Sequence, residues 1–335
     1  MILMLILGLS TLGRLSAAAT IPQPALLTDK TITPGIAALN LTLSGDKTLQ
    51  MLNFSLEAGQ DPRFSVYAEK GDDDLSPRST YMSAVNMLED LAKLPFNDHF
   101  HGGSWSGPGF EDVAISIPPQ QRLQVNLSMW GLYQAVVYVI QHNFCSVALH
   151  MFYTSARSTA VLDDVGIIYI YEPEAVSTSI VPGSRVSYHA TQNLTVNSSD
   201  SSNDISIRGN YITSLSNSRY SLHTELTGAR LNKDGVFLSI IECINEVASW
   251  DRIHPLKGSK EVSWRAKGVK FAFKPWGDPA APPRLEYKPL MFMLFAVPKY
   301  MDRNNKFQTG SFVLEIDGQP VGLGYIEPIR DTAAA

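Results

Sequence analysis

Cysteine is nearly absent from this chain: 335 residues contain only Cys145 and Cys243. Small secreted scaffolds hold together through dense disulfides, and two cysteines exclude that plan. Basic runs are missing too. The formal net charge is −5 and no Lys/Arg stripe appears, so the footprint of a nucleic-acid binder is lacking. No long apolar run follows the N-terminal one, which argues against a membrane span. No phosphate loop, dinucleotide fingerprint or E-x-x-H helix is present, so the sequence implies no cofactor. With 44% hydrophobic residues, the chain can bury a core without covalent staples.

The N-terminus is distinctive. MILMLILGLSTLGRLSAAATIPQP runs apolar from Met1 to about Leu12, then turns to small residues with Ala17-x-Ala19 as a peptidase site. A membrane span needs roughly 20 apolar residues, and Arg14 ends this run well short of that. We read residues 1–19 as a cleaved secretory signal. Asn-x-Ser/Thr sequons stand at Asn40, Asn53, Asn126, Asn193 and Asn197, which together with a signal predict a glycoprotein of the endoplasmic-reticulum lumen or the exterior. In that oxidising compartment one Cys145–Cys243 bridge is expected; two free buried thiols are the alternative.

The chain also echoes itself. VGIIYIYEP (Val165 to Pro173) resembles VGLGYIEP (Val321 to Pro328), VAISIPP (from Val113) resembles VKFAFKP (from Val269), and RFSVYAE (from Arg63) resembles RYSLHTE (from Arg219). All three pairs keep one spacing, and TITPG (Thr31 to Gly35) has a looser partner in SIVPG (Ser179 to Gly183). Such register predicts a tandem duplication, with repeats over 26–173 and 174–330 and a junction near Glu172 to Ser177.

Each repeat reads as β-β-β-α-β-α-β-β. In the first, IAALNLTLSGDKTLQMLNFSL alternates as strand–turn–strand, and RFSVYAE is a third strand. Met82, Val85, Leu88, Leu91 and Ala92 recur at helical spacing, matched by Phe237, Ile240, Cys243 and Val247. MWGLYQAVVYVI and LMFMLFAVPKYM are helices apolar on most faces, which must be sandwiched. Asn126 and Ser128 are candidate caps for the first, and Pro298 is expected to kink or end the second. The predicted fold class is α+β: two sheet-plus-helix halves related by approximate two-fold symmetry, as in a homodimer. The Ser/Asn-rich stretch Thr191 to Asn210 is expected to be an enlarged hairpin loop.

One segment concentrates unusual chemistry: FNDHFHGGSWSGPGFEDV, Phe96 to Val113. In an extended segment His99 and His101 project to one side, as paired ligands must. Asp98 does not share that side, so a third ligand would have to be Asp112, His142 or His150, and no metal site is assigned. GSWSG resembles a G-x-S-x-G elbow, but Trp105 occupies the serine position. Gly71-Asp72-Asp73-Asp74 reads as a solvated turn. The matching stretch, Trp250 to Val269, keeps an initial aromatic and one histidine, His254. It lacks the H-x-H and the glycine pair, so the special composition belongs to the first repeat.

A small-molecule pocket remains as the chemical possibility. Trp105, Trp130 and Tyr133 are large amphipathic residues near this loop or at the start of the apolar helix. His150 alternates with Leu149 and Met151 on a strand where the second repeat offers Glu315. Aromatic walls with few polar groups line small-molecule sites, and core packing is the plainer role for the same residues. His99 and His101 are the candidate catalytic groups.

The segments YMSAVNMLEDLAKLPF, WSGPGFEDVAISI and MWGLYQAVVYVI resemble a group of secreted fungal proteins of mostly unassigned function. These share an A-x-x-x-L-A helix, a P-x-x-x-V strand and a WGLY helix. The resemblance covers much of Tyr81 to Pro173 and implies a fungal source and secretory routing; it carries over no catalytic residue. Signal-bearing proteins of fungal secondary metabolism include cofactor-free cyclases and hetero-Diels–Alderases, which need chiefly an apolar pocket holding a near-attack geometry. Two functions are therefore expected to compete. One is binding of an apolar small molecule, with cofactor-independent cyclisation as its catalytic form. The other is a non-catalytic extracellular or wall-associated interaction module. Oligomeric state is left open.

Overall fold

Two helices in this protein start on the same device. Ser76 accepts a hydrogen bond from the Ser79 backbone N–H at 3.3 Å, and Asn232 accepts one from the Gly235 N–H at 3.0 Å. Each satisfies one of the donors that a helix start leaves unpaired. Pro77, at the first helical position, lacks the N–H that would be orphaned there anyway. The computed structural model describes residues 50–51, 63–119, 123–154, 162–173, 205–214, 217–250, 261–277 and 284–329. All lie within one compact unit, Thr42–Ala335.

The chain is α+β, with two antiparallel sheets and four helices among the described residues. The first series runs β1 (Gln50–Met51), β2 (Phe64–Asp74), α1 (Pro77–Leu91), β3 (Gly103–Gly107), β4 (Phe110–Ile117), α2 (Val125–Gln141), β5 (Cys145–Thr154) and β6 (Leu162–Tyr171). Next come β7 (Ile205–Arg208), β8 (Tyr211–Ser214), β9 (Tyr220–Arg230), α3 (Lys233–Ala248), β10 (Val262–Ala266), β11 (Val269–Pro275), α4 (Tyr287–Arg303), β12 (Gln308–Ile316) and β13 (Gln319–Pro328). The sheet orders are β1-β2-β5-β6-β4-β3 and β10-β11-β13-β12-β9-β8-β7. From β2 and from β9 onward, the two series thread their sheets by the same path.

Helices α1 and α2 cover one face of the first sheet, and α3 and α4 one face of the second. The two helical layers also pack on each other, through α1 with α3 and α4 and through α2 with α3. Helices so placed need apolar residues toward a sheet and toward other helices, which is why α2 reads apolar almost all round. Val113, Ile115, Leu149, Met151, Ile168 and Ile170 form the first sheet's inner face, and Phe271, Phe273, Phe312, Leu314 and Ile326 the second's.

Specific polar contacts join the layers. The Tyr81 ring stacks on Phe237 with centroids 4.3 Å apart and planes 5° apart, and its hydroxyl donates to Asp234 at 2.7 Å. Arg78 grips Asp302 through Nε and Nη2 at 2.8 and 2.9 Å. Lys299 on α4 donates to Glu89 on α1, and both side chains are nearly buried. Burial pushes the Glu89 carboxyl above its ordinary range, with Lys299 the main group pulling it back.

Several sequence expectations change. The Phe96–Val113 segment contains an extra strand, β3, so the first series runs β-β-α-β-β-α-β-β where described. Residues Asp72–Asp74 continue β2 instead of turning, because Lys70 still pairs with Val147 and, after a register shift, Asp74 with Cys145. Helix α4 runs through Pro298 without ending there; packing of both its flanks outweighs one missing backbone bond. Gln124, not Asn126 or Ser128, is the residue before α2, and it makes no side-chain cap. The end of the Thr191–Asn210 stretch is strand β7 and a tight turn, with Arg208 paired to Tyr211. The signal segment, Asn40, Asn53, Asn193, Asn197, the TITPG and SIVPG pair and His254 lie outside the described residues.

Tyr81 gives a direct check of the interlayer contact. Tyr81→Phe keeps the stack but loses the hydroxyl, while Lys267 still holds Asp234, so it should cost about 1–2 kcal/mol. Tyr81→Ala also opens the core and should cost about 3–5 kcal/mol. Urea denaturation of the two variants measures both.

Candidate functional site

The histidine loop is built as a helix start and a strand edge. Backbone carbonyls of Asp98 and Phe96 accept the N–H groups of Val125 and Asn126 at 3.0 and 2.9 Å, and the Phe100 N–H donates to Leu123 at 2.9 Å. The loop thus fills the orphan donors of α2, which explains why that helix needs no side-chain cap. His99 forms an isolated bridge opposite Gln124. Phe100 between the two histidines is buried, whereas His99 and His101 are exposed. The H-x-H pattern is the solvent side of a segment whose apolar side is Phe100, packed 5.8 Å from the Trp105 ring. Neither histidine makes a hydrogen bond among the described residues.

The glycines serve the backbone. Gly102 has φ +88°, and a Cβ there would sit 2.4 Å from the Ile117 carbonyl oxygen. At Gly103 a Cβ would strike the Trp105 indole at 2.6 Å. Both clear the way for β3 to pair with β4 and for Trp105 to turn inward. Trp105 is 3% exposed, and its Nε1–H donates to Asp90 on α1 at 3.0 Å. In the second series Trp264 on β10 is also 3% exposed and donates to Glu246 on α3 at 2.6 Å. The Ser-Trp pair of β3 therefore has a counterpart in Ser263-Trp264, although the H-x-H and the glycine pair do not. The sequence held the signal: Asp90 and Glu246 lie on the spacing already set by Val113 and Val269.

Of the other candidate residues, Trp130 touches the start of the histidine loop at Phe96, whereas Tyr133 and His150 lie elsewhere. Trp130, on α2, is half-buried between Phe64 and Phe96, with ring centroids at 5.9 and 6.0 Å. Tyr133, also on α2, is buried in the core. His150 faces away from both. Its neighbour Met151 points at α2, close to Gly131, so the alternation of β5 puts His150 on the outer face of the first sheet. It pairs there between Tyr67 and Ile167. The corresponding place in the second sheet, beside His223 and Leu323, is Val313 and not Glu315.

No metal centre is assembled from these groups. His142 caps the C-terminal end of α2, stacked on Tyr138 at 3.9 Å, while the histidine loop sits at its N-terminal end. A 17-residue helix separates them by about 25 Å. Asp112 is exposed on β4. Among the described residues no three His, Cys, Asp or Glu side chains gather as metal ligands.

The expected disulfide is corrected: both thiols are free and buried. Cys145 opens β5 near Tyr138, Lys70 and Asp74, whereas Cys243 lies inside α3 beside Glu242 and Glu246. Each is held by its own packing. Burial pushes both thiols upward, so neither is a ready thiolate nucleophile. Of the sequons, Asn126 falls in the first turn of α2, where its side-chain oxygen accepts the Leu127 N–H at 2.8 Å. Ser128 of the same sequon is fully buried and donates to the Gln124 carbonyl.

Comparison of the chain with family models, curated proteins and solved structures finds no match.

His150 carries a pH prediction. Burial holds its imidazole below the ordinary value of 6.5, against the opposing pull of Glu69 and Asp164, and its Nε2 is buried without a partner. A depressed folded value means the unfolded chain binds more protons, so this contribution is full above pH 6.5 and is lost as pH falls through the folded value. Relative to His150→Val, the wild type should lose stability on acidification from about pH 7.5 to about pH 5. Parallel pH dependence of the two urea midpoints would contradict it.

Proposed function

We propose that the protein is a secreted glycoprotein built by tandem duplication, and that it works as a non-catalytic extracellular interaction module. One observation carries the choice against an enzyme: the candidate catalytic and ligand-binding residues do not face a common space. His99 and His101 are exposed on a loop, Trp105 and Tyr133 are in the core, and His150 is on the opposite face of the first sheet. Positioned general acid–base chemistry needs its groups within hydrogen-bond reach of one substrate.

Duplication is supported by matched threading of the sheets, by caps at Ser76 and Asn232, and by the Trp105–Asp90 and Trp264–Glu246 pairs. Secretion is supported by the N-terminal segment and the sequons. The interaction reading points to the outer face of the second sheet, where Val313, Leu323 and Tyr325 are half-exposed on adjacent strands.

A second reading, binding of an apolar small molecule, has one observation in its favour. The unpartnered His150 Nε2 lies on a sheet face with Tyr67 and Phe152, whose rings meet edge to face at 5.2 Å. A ligand acceptor or donor there would satisfy the imidazole.

Native mass spectrometry of the secreted, deglycosylated chain separates the two. A bare polypeptide mass is expected, preceded by a mass drop on glycan removal. A discrete organic mass that is lost on denaturation, and is absent from His150→Val, would replace the interaction reading with the ligand reading. Secretion without any glycan would remove the sequon argument.

A further inference from the structure

The contacts between the helical layers are unequal on their two sides. On one side α1 meets α4 through Glu89–Lys299 and Arg78–Asp302. On the other, α2 meets α3. The spacing that pairs Val113 with Val269 carries Glu89 onto Asn245 and Arg78 onto Asp234. Helices α2 and α4 are both 17 residues long, and aligned end to end they carry Val137 onto Lys299 and Ile140 onto Asp302. The α2–α3 seam therefore has Asn245 and Val137 where the α1–α4 seam has a buried ion pair. Asn245 is 7% exposed, and its Oδ1 has no partner.

From this asymmetry we infer that the α1–α4 ion pairs select the partner of each half, so that a first half accepts a second half and rejects a copy of itself. This rests on the duplication reading above. If two first halves packed in the same way, Glu89 would face Val137 and Arg78 would face Ile140. The buried Glu89 and the exposed Arg78 would then both lose their partners, and the loss at Glu89 is the costly one. If two second halves did so, Lys299 would face Asn245, and Asp302 would face Asp234, carboxylate against carboxylate. Only the unlike pairing satisfies all four charges. The central stack agrees, because Tyr81 from the first half finds Asp234 from the second, whereas two second halves would bring Phe237 and no hydroxyl.

Such a device is expected on physical grounds. A buried ion pair adds little net stability over apolar residues of similar volume, since desolvation offsets the attraction. An unpaired buried charge is strongly unfavourable, so the pair discriminates far more than it stabilises. Duplicated halves need that discrimination, because their apolar helix faces are otherwise interchangeable between chains.

The test uses the full chain with Glu89→Lys and Lys299→Glu, each alone, together in one chain, and as a refolded mixture of the two single variants. Each single variant should melt about 5–10 °C below wild type, and the double variant should regain most of that loss. In the mixture, each chain supplies the charge that the other lost. Refolding it should yield mixed dimers, seen by mass after tagging one chain, that are absent when either variant refolds alone. The double variant recovering while the mixture gives no mixed dimer would overturn partner selection and leave only a stabilising pair. Failure of the double variant to recover would overturn the pairing itself.

The duplication reading has a separate check in Val137→Lys with Asn245→Glu. If the seams are equivalent, the double variant should be more stable than the sum of the two single effects predicts. Simple additivity would count against the equivalence without bearing on Glu89 and Lys299.

Discussion

The whole arrangement depends on helices that must be buried on two sides. A sheet with one apolar face is satisfied by a helical layer, but α1 to α4 carry apolar residues beyond what the sheets can cover. Packing the helical layers against each other removes that surface from water, at roughly 25 cal/mol per Å² of apolar area. Everything else follows from this. The Tyr81–Phe237 stack forms where α1 crosses α3, and burial there favours paired polar groups such as Glu89 with Lys299.

That constraint also governs what the side chains are free to do. Tryptophan on an edge strand is a natural candidate for a binding wall, yet Trp105 and Trp264 both turn inward and donate to a carboxylate on the preceding helix. The bond ties the edge strand β3 to α1 and the edge strand β10 to α3. Similarly, the two cysteines behave as small apolar residues, since burial keeps them protonated. Both tryptophans and both cysteines are thus occupied by structure.

The polar exceptions are uneven between the two outer faces of the sheets. On the first, burial between Tyr67 and Ile167 holds the His150 imidazole below its ordinary value. On the second, Lys270 gathers Glu261, Glu327 and Tyr325 into a half-exposed network that is solvated and of modest energetic weight. The outer face of the first sheet is thus drier at His150, and that of the second wetter at Lys270.

The sequence by itself determined the α+β class, the main strands and helices, and the correspondence between Val113 and Val269 or Arg63 and Arg219, because periodicity and register are local properties written along one segment. It pointed to Phe96–Val113 as unusual but did not show the strand inside it. The strand β3 is short and glycine-flanked, and its inward Trp105 is recognisable only once Asp90 is known to lie beside it. Tertiary structure alone decided that Cys145 and Cys243 stay apart, that His150 and Tyr133 occupy opposite sides of one sheet, and that Glu89 meets Lys299. Those facts depend on which distant segments share a face, and pairwise contact across some two hundred residues leaves no periodic trace in the chain.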